Sequence, residues 1–321
     1  MRDLITLPKA HLHVHLESTA RAATVAHWAA RDGVPVPPGG PFPGFRAFAD
    51  RNALVRGLLR SPEDFHRLAV EFCADEAAQG TRYAEVTFTA ASHGERLNDL
   101  DMPLAAVVEG LREGAHANDI TVRLLLDHSR RQSVARLERT VELATRYPEV
   151  VGIGLAGDEA YPLAPFAEVL RAAGEAGLHL VHHAGESAGP ESVREAVEIG
   201  RAQRIGHGFQ ALADPSVVAL LRERGVAVEI CVSSNVVLGL VPTAAAHPVR
   251  ALIEAGVPVT INTDIPDVTG RALADEYALW RTALGFTDEE LAEVAIAAAE
   301  ASFATAQVRD GLITGAVRWL G

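Results

Sequence analysis

Short runs rich in Val, Ile and Leu recur along the chain. They fall at 10–16 (AHLHVHL), 82–88 (RYAEVTF), 122–128 (VRLLLDH), 150–157 (VVGIGLAG), 178–185 (LHLVHHAG), 204–209 (RIGHGF), 226–233 (VAVEICVS) and 258–264 (PVTINTD). Runs of this length and composition read as strands buried on both faces. Between them lie Ala-rich or amphipathic stretches such as PLAPFAEVLRAAGEAG and DPSVVALLRERG, several ending in Gly just before the next run, which is a helix stop. Eight strands alternating with helices predict a (β/α)8 TIM barrel of class α/β. A doubly wound open sheet would carry a Gly-rich phosphate turn after an early strand, and no G-x-G-x-x-G occurs there.

Two segments interrupt the alternation. Residues 34–45 (VPVPPGGPFPGF) are too rich in Pro and Gly for a helix interior and lie in the long connection between the first two strands. An insertion over 28–70 would sit above the barrel mouth, as a lid or as a passive surface loop. Beyond the eighth strand, 285–321 reads as helices packed outside the barrel, with the whole of 1–321 as one domain.

The polar residues of the runs gather at their C-terminal ends: His13 and His15, Asp158 and Glu159, His183 and Glu186, His207, Ser233 and Asn235, and Asp264. That end of a barrel is where its active site is assembled. In the first run His11, His13 and His15 alternate with Leu12, Val14 and Leu16, so all three imidazoles share one strand face. Imidazoles and a carboxylate from several strand ends suit a divalent cation such as Zn²⁺. A strand usually gives a metal two ligands, and the alternation alone leaves open which two.

Composition narrows the function. The formal charge of −13 with scattered arginines argues against a nucleic-acid partner. Two distant cysteines, Cys73 and Cys231, predict no disulfide and a reducing compartment. The first residues, MRDLITLPKA, lack the apolar core of a signal peptide, and no run is long enough to span a membrane. The expectation is a cytoplasmic protein acting on a small molecule, its oligomeric state left open. Lys9 is the only lysine, so two metals bridged by a lysine carbamate at strand four are ruled out.

LPKAHLHVHLES, LAGDE, HHAGE, RIGHG, EICVSSN and INTDIPDV…DEY, taken together, resemble the adenosine deaminase family of metal-dependent hydrolases over Leu7 to Tyr277. The resemblance implies one zinc per chain, with His13, His15, His183 and Asp264 as its ligands. It also implies that Glu186 donates a proton to the purine N1 and that His207 orients and deprotonates the attacking water. Gly157 would offer a backbone N–H to the ring and Glu17 would meet a ribose hydroxyl. His11 is then left one strand repeat deeper, as a hydrogen-bonded core residue. These roles are chemically coherent: a bound cation brings a water's pKa toward about 7. Attack at C6 requires N1 to gain a proton, which a buried carboxylic acid can supply.

The chain departs from the family pattern at four places. His11 stands where Glu is common, Ser18 where Gly is, Val232 where Pro is, and Ile265 where an Asp pairs with the purine N7. Losing such a buried pairing costs about 1–3 kcal/mol. The resemblance makes adenosine the default substrate, Ile265 counts against it, and adenine, aminodeoxyfutalosine or another amino-heterocycle are the alternatives. A catalytically silent binding protein and a hydrolase of esters or amides are readings of other classes. His93, His128 and His247 match no motif and are expected in surface or loop positions. His182 should point from the metal toward the helices, and Asp158 and Glu159 should cap a helix or shape the pocket.

Overall fold

In the computed structural model, which describes residues 1–40, 42 and 45–321 (45 and 46 as backbone only), all eight runs form strands. They are β1 (Lys9–His11), β2 (Thr81–Phe88), β3 (Thr121–Ser129), β4 (Val150–Ala156), β5 (His179–Ala184), β6 (Arg204–His207), β7 (Ala227–Ile230) and β8 (Val259–Ile261). Each pairs in parallel with the next, in the order β1 to β8. β1 and β8 meet just past their ladders, where Val14 bridges Asp264 in parallel. His15 N donates to Asp264 O and Asp264 N to His13 O, both at 3.0 Å. Below that point the Asn262 Oδ1 accepts from Leu12 N at 2.9 Å and His13 N at 3.0 Å, a side chain doing the work of a missing strand partner. The barrel is thus closed by residues flanking the candidate site.

β1, β7 and β8 are shorter than their apolar runs. His13 and His15 lie beyond the β1 ladder, and Val232–Val237 is already helical. An apolar run records burial, whereas a strand needs a partner's hydrogen bonds, and near the mouth the backbones splay apart. The alternation still holds across the boundary: Leu12, Val14 and Leu16 are fully buried on the face opposite the imidazoles.

Inside the lower barrel the side chains are charged rather than branched aliphatic. Arg204 pairs with Glu229 at 2.6 Å and with Glu85, while Tyr83 Oη donates to Glu85 at 2.8 Å. Phe303, between the helices Asp288–Ala301 and Ala306–Leu320, lies 3.9 Å from the Arg204 guanidinium and donates its N–H to Glu85 at 2.6 Å. The C-terminal helices therefore do more than cover the outside; the turn between them seals the barrel floor.

The β1–β2 connection contains the helices Ala22–Asp32, Phe45–Leu58 and Pro62–Ala78. The last is started by a capping box between Ser61 and Asp64 with Pro62 in the first turn. Arg51 of the middle helix pairs with Asp267, just beyond β8, and its Nε donates to Pro38 O at 3.3 Å. This insertion does lie over the mouth, although Pro41, Pro43 and Gly44 of the expected lid segment fall outside the described residues. Among the described residues no helix is long and apolar enough to cross a membrane.

Candidate active site

Five side chains converge where the barrel closes. His13 and His15 follow β1, His183 and His207 end β5 and β6, and Asp264 follows β8. His15 Nε2 lies 3.2 Å from His183 Nε2 and 3.3 Å from Asp264 Oδ1. His13 Nε2 is 3.6 Å from Asp264 Oδ1, and His207 Nε2 is 3.9 Å from Asp264 Oδ2. Ligand atoms of His13, His183, His207 and Asp264 all lie within 4.8 Å of one another. His13 Nε2 and His207 Nε2 are buried without a hydrogen-bond partner among the described residues. Orphaned imidazole nitrogens beside a carboxylate fit a divalent cation with a preference for N and O donors, as zinc has.

Burial drives two of these rings toward the neutral form a metal needs, taking His207 down to about 4 and His183 well below its ordinary value. Burial also opposes charge on Asp264 and His13, but their mutual attraction, with Glu229 and His15 adding to it, reverses the outcome. Contacts from His13 and His15 hold Asp264 well below the carboxylate range, and Asp264 with Glu229 raise His13 to about 10.

Surrounding groups fix the geometry. His13 Nδ1 bonds Glu229 at 2.8 Å, which ties the ring to the Arg204–Glu85 network beneath it. Ser234 Oγ donates to Asp264 Oδ2 at 2.6 Å, and Arg130 donates to the His183 carbonyl. Partners of this kind set ring tautomer and direction. His207 and Asp264 adopt φ of 65° and 61°, left-handed values that non-glycine residues rarely hold, and they are held there by this bracing. Gly206 of RIGHG has a packing reason: an added Cβ would sit 2.6 Å from His13 Cε1. Gly206→Ala is therefore expected to displace the His13 ring and cut divalent-metal affinity by at least the roughly 10–100-fold of a lost supporting contact. A metal-competition titration measures it, and unchanged affinity would contradict this packing role.

Glu186 stands above the cluster, its Oε1 3.6 Å from His207 Nε2. Burial, then the charges of Asp264 and Glu159, push its pKa up to about 8. Its loop hangs on Glu159, whose carboxylate accepts backbone N–H bonds from Gly185 at 2.6 Å, Glu186 at 2.9 Å and Ser187 at 2.7 Å. Ser192 Oγ adds another at 2.5 Å. Burial alone would raise Glu159, yet these donors lower it. Glu159 is thus neither a helix cap nor pocket wall; it anchors the Glu186 loop. Asp158 lines the cavity and also accepts from Ala160 N at 3.0 Å.

The cavity over this cluster measures about 290 Å³. Glu17, Gly157 and Ile265 line it together with His15, His183, Glu186, His207 and Asp264. Phe48, Asn52 and Arg56 of the insertion line it as well, which the Pro/Gly pattern of 34–45 did not foretell. Ile265 is fully buried beside Asp264, an apolar surface where a carboxylate was the family expectation.

The expectation of surface or loop positions for His93, His128 and His247 is corrected: all three are buried. His93 bonds Glu17 Oε1 at 3.0 Å and lies between Phe88 and Phe65. Against the effect of burial, His93 and then the Arg56 charge hold Glu17 down to about 2; Thr89 N also donates to it at 3.2 Å. His128 ends β3 on the cavity wall, and burial takes it to about 4. His247 bonds Asn235 at 3.2 Å. His93 lies in the helix Ala90–Leu97 and His128 in β3, and His247 alone is in a loop, as expected, though a buried one. His182 does face the helices, accepting from Leu155 N and donating to Gly200 O. His11 has Nδ1 3.0 Å from Glu76 Oε1 and Nε2 3.0 Å from Thr263 Oγ1, so both nitrogens are engaged in the core.

A family model described as adenosine deaminase matches residues 8–319. An aminodeoxyfutalosine deaminase of Streptomyces coelicolor is 38% identical over 332 residues, covering 98% of this chain and 86% of the relative. The crystal structure of an adenine deaminase from Arthrobacter aurescens is similar with a TM-score of 0.92 at 26% identity, covering 98% of this chain and 99% of that one. An amidohydrolase from Burkhoderia ambifaria, solved with bound zinc, reaches 0.88 at 26% identity, covering 98% and 91%.

Proposed function

Because the chain belongs to the adenosine deaminase family and is a hydrolytic deaminase, we propose that it releases ammonia from an amino-purine nucleoside, using one zinc ion held by His13, His15, His183 and Asp264. The observation that carries this reading is Glu186: a buried carboxyl raised to about 8, set against His207 at the edge of the donor cluster. An acid kept protonated at neutral pH is what ring protonation requires.

The zinc, when bound, supplies a water whose pKa is brought toward about 7 and so serves as a nucleophile at neutral pH. His207, neutral and with Nε2 facing the cluster, would take a proton from the attacking water as its oxygen adds to C6. Glu186 gives its proton to N1, so the ring's developing negative charge is quenched where it appears. The C6–N bond then breaks and the amino group leaves as ammonia with the proton from His207. N1 keeps its proton, the C6 hydroxyl gives up its remaining proton to solvent as the keto group forms, and Glu186 takes one proton back from solvent, so the protons of water and amine account for product and ammonia. Gly157 at the end of β4 meets the ring edge, and Glu17, fixed by His93 and Thr89, meets a sugar hydroxyl.

The choice of ring turns on Ile265. An apolar wall cannot pair with N7, which favours substrates whose affinity comes from elsewhere in the molecule, such as aminodeoxyfutalosine, over adenosine itself. Ammonia release from zinc-loaded enzyme should be measured across adenosine, adenine, aminodeoxyfutalosine and aminated pteridines; silence on all of them would sink the proposal. Ile265→Asp should raise kcat/KM for adenosine by roughly 10–100-fold, the value of one restored buried hydrogen bond of about 1–3 kcal/mol. No gain would show that N7 is not read at this position.

A further inference from the structure

Behind His207, away from the cluster, a buried chain of polar groups runs to His247. Asn235 Nδ2 lies 3.2 Å from His207 Nδ1, and Asn235 Oδ1 lies 3.2 Å from His247 Nε2. Asn235 has no exposed surface, and the three residues come from β6, from the helix Val232–Val237 and from the segment before Pro248. Phe209 packs on the His247 ring at 5.3 Å between centroids. Nothing in the proposed reaction uses His247.

A neutral imidazole has one N–H, and the partner at one nitrogen decides which nitrogen carries it. With Asn235 offering its amide N–H, His207 Nδ1 accepts and the ring proton sits on Nε2, where it can only donate into the site. A base needs the reverse: Nδ1–H donated to a carbonyl oxygen, with Nε2 free to accept. A half-turn of the Asn235 amide produces it, turning Oδ1 to His207 and Nδ2 to His247. His247 must then accept at Nε2 and carry its own proton on Nδ1. A second neutral imidazole can serve either orientation, which a backbone N–H or carbonyl could not. Amide orientation and ring tautomer are therefore linked along the whole chain.

We propose that His247 is a positioning residue that, by accepting from the turned Asn235 amide, lets His207 keep its proton on Nδ1 and face the reacting water with a free Nε2. Without that acceptor the amide keeps its N–H on His207, because an outward unpaired carbonyl is better tolerated than an unpaired N–H. This rests on the reading of His207 as the base. Burial keeps the His247 ring neutral at pH 7, taking it down to about 4, as the relay requires. The test compares zinc-loaded wild type with His247→Phe, which keeps the aromatic packing, and His247→Gln, which keeps an amide able to donate or accept. Nitrogen NMR of isotope-labelled histidine reads the His207 tautomer directly, its signals assigned by their loss in His207→Gln. The expected result is mostly Nδ1–H in wild type and mostly Nε2–H in His247→Phe. For a substrate the wild type turns over, kcat of the Phe variant should fall roughly 10–100-fold with KM within about threefold, and Gln should recover most of it. An unchanged tautomer in His247→Phe overturns the proposal. Absence of turnover on every substrate would instead count against the deaminase reading, and the tautomer measurement would still judge the relay.

Discussion

Glu186→Gln is expected to lower kcat by roughly 10²–10⁴-fold, the range for losing a positioned proton donor. Gln has nearly the same shape, so the loop pinned by Glu159 and the packing around it should persist. What disappears is a proton held on a buried carboxyl and available at N1. Because that proton matters most as C6 is attacked, KM should change far less than kcat. Zinc content and melting temperature should match wild type, since Glu186 contributes no backbone anchor of its own; the backbone contacts run to Glu159. A kcat within about threefold of wild type would remove Glu186 from the chemistry and leave burial as the sole reason for its raised pKa.

The second large effect is expected at the metal. His183→Ala removes the ring whose Nε2 lies 3.2 Å from His15 Nε2 and whose carbonyl is held by Arg130. The variant should purify without stoichiometric zinc and release no measurable ammonia. A bound ligand at a thousandfold excess over its dissociation constant stabilises a fold by about 4 kcal/mol. Wild type should therefore melt at a clearly higher temperature with zinc than after chelation, and His183→Ala should show no such difference. Full zinc occupancy in the variant would mean that the remaining donors, with His207 among them, form the site without His183. That outcome would reassign the ligands while leaving the barrel intact.

His207 and Asp264 show why those donors cannot simply be exchanged. Both hold left-handed backbone conformations, and both do so where the chain turns out of a strand end into the mouth. The strain is offset by the hydrogen bonds around them: Ser234 on Asp264, Asn235 on His207, and the β1–β8 crossing bonds on either side. Binding geometry and barrel closure are accordingly coupled. A substitution at Ser234 or Asn262 acts on the candidate metal site through the donors they hydrogen-bond, Asp264 and His13, with no donor removed.

The eight strands, their order and the end of the barrel bearing the chemistry were legible in the chain itself. Burial on both faces of a strand leaves an unbroken apolar run, and a helix leaves its period and its Gly stop, all within a few residues. Alternation put His11, His13 and His15 on one face, and only the family resemblance singled out the last two; the fold then sets His11 against Glu76 and Thr263. Other features depended on chain segments far apart. His93 and His247 sit where local pattern predicts exposure, and the folded insertion and the Pro248 segment bury them. Glu159 became the anchor of the Glu186 loop only because β4 and β5 lie side by side. Arg204, Glu85 and Glu229 are ordinary charges in sequence and one buried network in space. Local periodicity determines which way a side chain points; how far its atoms lie from another strand's is decided by closing the barrel. The candidate donors were therefore readable in the sequence, while the distances that bring them together came from tertiary structure.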